Sequence, residues 1–118
     1  MSTIVKRLPC FELKENASLI AGGKGANQAV AMGKLGADVT MIGMVGTDDF
    51  ASQLLDNLKQ MGVTDKVMKT DKAPTGTALI MVNESADNSI VVIAGANGLL
   101  KPDMIKPSWF DDIDIVVL

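Results

Sequence analysis

Ala21-Gly22-Gly23-Lys24-Gly25-Ala26-Asn27-Gln28-Ala29-Val30 constrains this chain more than any other stretch. Three glycines within four residues run directly into an alanine-rich helical pattern. Glycine is needed where the backbone takes a positive φ or comes close to another group, and a helix start leaves N–H donors unpaired. Lys24 and Asn27 add a cation and an amide that both donates and accepts. The combination suits a small, oxygen-rich ligand. A dinucleotide fingerprint fails, because Gln28 stands where the third small residue is needed. A Walker P-loop fails too, since Lys24 is followed by Gly25 and not by Ser or Thr. Taken alone, the segment also reads as a tight turn before a buried helix. Lys24 is then a solvated cation and Asn27 an early helix-turn residue.

The chain has 118 residues, enough for one modest domain. A domain of this size buries roughly 65% of its unfolded surface. Its 47% hydrophobic content supports a packed interior and argues against disorder. No stretch reaches the ~18 consecutive apolar residues of a membrane span. Met1-Ser2-Thr3-Ile4-Val5-Lys6-Arg7 lacks the apolar run of a secretory signal, so a soluble, cytoplasmic protein is expected. A net charge of −3 with both signs interspersed gives no basic footprint for nucleic acid. Cys10 is the lone cysteine and there is no histidine, which argues against an internal disulfide and a zinc site. Chemistry is left to carboxylates, lysine or backbone dipoles.

The elements alternate. A short strand is predicted over 3–8, ended by Pro9, then an irregular connection from Cys10 to Asn16 and a short strand from Ala17 to Ile20. A helix follows from about Ala26 to Leu35 and closes at Gly36. It is apolar around most of its circumference, so a buried helix is expected. Val39 to Val45 reads as an inner strand of a parallel sheet, covered on both faces. Asp48 and Asp49 read as caps of a second helix, from about Asp49 to Met61, and not as a catalytic carboxylate pair. Gly62 ends that helix. This order predicts an α/β architecture.

Gly76 to Val82 and Ser89 to Ala94 are β-rich runs joined by a polar turn, which predicts an antiparallel hairpin. Gly95 to Gly98 reads as a loop, Pro102 to Phe110 as one or two short helical turns, and Ile113 to Leu118 as a final strand. Trp109 and Phe110 are expected beneath that strand. The eight methionines are expected to fill the core. Asp111, Asp112 and Asp114 read as a solvated acidic cluster and not as a metal site.

Several of these segments occur together in one known family. Gly22-Gly23-Lys24-Gly25-Ala26-Asn27-Gln28-Ala29 resembles the first signature of the PfkB carbohydrate kinases, in its ribokinase form. Gly36-Ala37-Asp38-Val39 and Gly43-Met44-Val45-Gly46-Thr47-Asp48-Asp49-Phe50 resemble the next strand and turn, with Ala51 in place of a final glycine. Pro74-Thr75-Gly76-Thr77-Ala78 and Asp87-Asn88-Ser89-Ile90 resemble the lid hairpin, and Gly95-Ala96-Asn97 the loop after it.

The resemblance implies part of a ribokinase-like α/β/α sandwich, with a small antiparallel β lid hairpin. The core falls at 21–70 and 99–118, and the lid strands at about 2–20 and 75–95. It implies phosphoryl transfer from ATP, with Mg²⁺ and a monovalent cation such as K⁺, to a hydroxyl of a sugar such as D-ribose. Gly23, Lys24 and Asn27 match motif positions that approach sugar hydroxyls. Ala78, Ile80 and Val92 match the apolar wall of the lid. The family's first sugar-binding Asn and Asp would align before Met1, and a sugar-binding glutamate beyond Leu118. The proton-accepting aspartate, the anion hole, the ATP site and the cation loop lie further downstream. The chain is thus expected to be an N-terminal portion with no catalytic residue of its own, inactive alone. Pairing of two copies through the lid is a further implication. Two other outcomes stay open: a kinase of the same family acting on fructose or a nucleoside, and a non-catalytic truncated product or interaction module.

Overall fold

The computed structural model describes residues 2–7 and 17–118, with side chains from Ile20 onward. The expected strand end at Pro9 and the connection from Cys10 to Asn16 lie outside the described residues. Two sheets organise the rest. The first has four strands, β1 (Ser2–Arg7), β2 (Ala17–Ala21), β5 (Thr77–Val82) and β6 (Asn88–Ile93), in the order β2-β1-β5-β6. β5 and β6 form the expected antiparallel hairpin, with Ala78 opposite Val92 and Ile80 opposite Ile90. β1 runs parallel to β5 and antiparallel to β2.

The second sheet pairs β3 (Thr40–Val45) in parallel with β4 (Thr64–Lys69). Between them in sequence lies α2 (Asp49–Gln60), and α1 (Lys24–Lys34) precedes β3. Parallel strands need a crossover connection, which α2 supplies. Ala51, Leu54 and Leu58 fall three to seven positions apart and form the buried stripe of α2. Ala29, Val39, Leu58 and Val63 make one core cluster, and Val45, Ala51 and Leu54 another. Leu55 and Val67 pack against both, so the core lies where the helices meet the β3–β4 pair. Burying a leucine in this way contributes about 1.5–3 kcal/mol. Helix ends at Gly36 and Gly62 are as predicted, each with positive φ. The mixed α/β architecture agrees with the sequence reading.

Several details differ. α1 begins two residues earlier than expected, because Gly23, at a positive φ, already releases Lys24 into helical geometry. It is also not buried all round. Lys24, Asn27, Gln28 and Ala31 are exposed and Ala29 is its buried residue, since among the described residues β3 meets one side of the helix. β3 is not covered on both faces: Met41, Ile42 and Gly43 are half-buried. Its sheet has two strands among the described residues, leaving one edge of β3 free. β4 was not foreseen, because Thr64-Asp65-Lys66 is polar and exposed and carries little apolar signal.

The predicted final strand is absent. Residues 113–118 are exposed and irregular, with no ladder partner among the described residues. Without cross-strand hydrogen bonds an apolar run has no reason to become a strand. Trp109 accordingly packs elsewhere: the Lys66 ammonium lies 5.6 Å from the centre of its ring. Phe110 is exposed. The segment 95–98, read as a loop, falls within a 3₁₀ turn, Gly95–Leu99. Pro102–Met104 and Pro107–Phe110 are the two short turns expected there.

Candidate functional site

The glycine segment turns the end of β2 into α1. Gly23 is the N-cap, at φ 109 and ψ 140, a conformation that side chains other than hydrogen rarely adopt. Its carbonyl accepts the Asn27 N–H at 2.8 Å, closing the first helical turn. No side chain caps this end, and no acidic residue sits in its first turn. No side chain thus satisfies the terminal N–H groups at the positive end of the helix, and Lys24 in its first turn is exposed.

A cleft with room for about 60 Å³ begins at this turn. Ala21, Gly22, Ala26 and Asn27 at the turn, Gly43 to Val45 of β3, and Leu54 and Leu58 of α2 line it. Asn97 joins from the 3₁₀ turn after the hairpin, and Asn57 from α2. The polar side chains of this lining are three asparagines, and none of its side chains carries charge. Neutral amides that donate and accept, set in an apolar surround, match an uncharged polyhydroxylated molecule.

The sequence-selected residues are only partly gathered here. Asn27 lines the cleft; Gly23 and Lys24 adjoin it in sequence but are not in its lining, and Lys24 is exposed. Ala78, Ile80 and Val92 lie outside the lining as well. Register places those three on one face of the β5–β6 hairpin, because Ala78 and Val92 are direct partners and Ile80 stands two residues on. Their environments diverge: Ala78 is 4% exposed and Val92, on the edge strand, 62%. Asn57 and Asn97 were not singled out. Asn97 lies in Gly95-Ala96-Asn97, whose order alone does not say that the 3₁₀ turn returns to the cleft.

Asp48 caps α2 by accepting the Ala51 N–H at 3.0 Å, as predicted. It also reaches Thr75. One carboxylate oxygen accepts the Thr75 N–H at 2.7 Å and the other accepts its hydroxyl at 2.6 Å. The same hydroxyl accepts the Gly46 N–H at 3.0 Å. Partial withdrawal from water pushes Asp48 upward. Hydrogen bonds from the Thr75 hydroxyl, the Thr75 N–H and the Ala51 N–H outweigh that and hold it below the usual aspartate range. Thr75 is 2% exposed, so its satisfied hydroxyl matters.

Among the described residues, no three His, Cys, Asp or Glu side chains converge. Asp111, Asp112 and Asp114 are exposed. No described helix is long and apolar enough to cross a membrane.

The sequence matches the model of the pfkB family carbohydrate kinases over residues 9–118. A ribokinase from Bacillus subtilis is 50% identical over 84 residues, covering 70% of this chain and 28% of that protein. A deoxyribokinase from Salmonella typhi is 47% identical over 85 residues, covering 71% and 28%. The solved Arabidopsis thaliana ribokinase, complexed with ribose and ATP, superposes with a TM-score of 0.71 at 31% identity. That match covers 81% of this chain and 34% of the plant enzyme. The chain thus spans less than a third of the curated relatives' length. With the family model covering nearly all of it, and the glycine turn, cleft and hairpin in the matched region, this chain belongs to the pfkB family of carbohydrate kinases.

Proposed function

We propose that this chain carries part of the sugar site of an ATP-dependent kinase that phosphorylates D-ribose. The observation that carries the reading is the Gly22–Asn27 turn opening onto a cleft whose polar lining is neutral amide. In this reading Gly23 lets the backbone approach the sugar, while Lys24 and Asn27 hydrogen-bond its hydroxyls. Ala78, Ile80 and Val92 supply an apolar wall. A buried polar site discriminates strongly, because an analogue missing one hydroxyl leaves a protein group unpaired. Apolar cover excludes the water that competes for the phosphoryl group.

ATP, Mg²⁺ and a monovalent cation such as K⁺ belong to the reaction of the complete enzyme. The resemblance assigns their contacts, and the proton-accepting aspartate, to sequence other than these residues. We expect the 118-residue polypeptide by itself to contact sugar without turnover. The identity to a deoxyribokinase, close to that of the ribokinase, favours 2-deoxyribose as the second candidate. Self-association through β6 is part of the proposal: Ile90, Val91, Val92 and Ile93 are all about half exposed or more on an edge strand. A cytoplasmic location agrees with this reading.

Titration calorimetry of the purified chain with D-ribose, 2-deoxy-D-ribose and D-fructose tests it. Heat with ribose that falls in Asn27→Ala supports the reading. Equal heats for parent and variant remove Asn27 from the site, and ribose-dependent ATP turnover by the chain alone refutes its inactivity.

A further inference from the structure

The hairpin β5–β6 leaves and rejoins the rest of the chain through two crossings, residues 73–76 and 94–97. These crossings are bonded to each other. The Ala96 N–H donates to the Pro74 carbonyl at 2.7 Å. Gly76 is packed so closely that a Cβ there would overlap the Asn97 amide and approach the Ala94 carbonyl to 2.7 Å. The outer end of the pair is held by Thr75 to Asp48, at the head of α2. Gly46 closes the joint, since a Cβ there would lie 2.7 Å from the Thr75 nitrogen. A continuous line of contacts thus runs from Asp48 through Thr75 and Gly76 to Asn97, which lines the cleft.

We propose that Asp48 is a positioning residue: by clasping Thr75 it fixes both crossings of the hairpin against the β3–α2 turn and so sets Asn97 in the cleft that Asn27 also lines. Asp48 itself is not in the cleft lining. Its two oxygens divide the work, one shared between the helix cap and the Thr75 hydroxyl, the other taking the Thr75 N–H. Hydrogen bonds to a charged acceptor are about twice as strong as neutral ones. Clasp and cap are separable because a serine at 48 still caps but is too short to reach Thr75. The consequence for affinity rests on the sugar-site reading; the mechanical claim does not.

The test compares amide hydrogen exchange and ribose calorimetry in Asp48→Ser, Thr75→Val and Thr75→Ser. In Asp48→Ser, exchange across 77–82, 88–93 and 95–97 is expected to rise at least about tenfold. Exchange in α2 and β3 is expected to stay within about twofold. Thr75→Val should give the same pattern at smaller amplitude, because its N–H still reaches Asp48. Thr75→Ser should restore the parent pattern. Ribose affinity should fall about tenfold in Asp48→Ser and return in Thr75→Ser. Hairpin exchange that does not move, or that rises in step with β3, overturns the proposal. If the parent chain gives no heat with ribose, the sugar reading fails, and the exchange contrast alone still decides the clasp.

Discussion

Asp48 and Thr75, 27 positions apart, share two hydrogen bonds of 2.7 and 2.6 Å, through the Thr75 N–H and its hydroxyl. This pair joins the crossover unit β3–α2 to the strand that enters the four-stranded sheet. The Gly46 N–H, donating to the same Thr75 hydroxyl at 3.0 Å, adds a second direct link.

The pair makes stability acid-sensitive. Asp48 titrates below its ordinary value in the folded chain, so its contribution is fully present above the unfolded value of about 3.9. It fades as pH falls through the lower, folded value. Urea midpoints between pH 7 and pH 2 should therefore drop less steeply in Asp48→Asn than in the parent. Parallel curves would show that other carboxylates govern the acid limb.

Gly46→Ala should destabilise the chain by about 1–3 kcal/mol, as overpacking does in a closed interior. The new methyl would meet the Thr75 nitrogen at 2.7 Å and the Ala73 carbonyl at 2.8 Å, both backbone atoms that cannot swing aside. A shift of the urea midpoint with unchanged slope is the expected sign.

Asn27→Ala should separate binding from folding. Asn27 is exposed on α1, and alanine is the better helix former by up to about 0.7 kcal/mol. Thermal stability should hold or rise slightly while ribose heat falls. A variant that loses both would mean that the Asn27 amide supports the turn.

Leu58→Ala should cost about 2–5 kcal/mol, enough to unfold a marginal domain. Leu58 is 4% exposed and joins α1, α2 and Val63 in one cluster. Circular dichroism at 25 °C would then lose its helical signal.

Val91→Lys on the edge strand β6 should lower self-association without loss of fold. Val91 is 49% exposed and is not among the three residues assigned to the sugar wall. Sedimentation should shift toward the monomer; an unchanged distribution would exclude β6 as the contact.

Much of the architecture was legible in the sequence because local chemistry decides it. Asp48 caps, Gly36 and Gly62 stop helices, and the polar turn between two β-rich runs folds them into a hairpin. Helical spacing marks Phe50, Leu54, Leu58 and Met61 as one face of α2, and Leu54 and Leu58 are buried as it implies, whereas Ala51 takes the buried place beside half-buried Phe50 and Met61. These outcomes depend on neighbours within a few residues, which the sequence displays directly.

Only the tertiary structure decided the rest. β4 is a strand because β3 offers it a ladder, not because Thr64-Asp65-Lys66 favours one, and residues 113–118 stay irregular with no such partner among the described residues. Thr75 bonds Asp48, and Asn97 reaches the cleft, only once two distant crossings are brought side by side. Hydrogen bonds and packing between segments far apart in the chain exist only after closure. No local pattern encodes them.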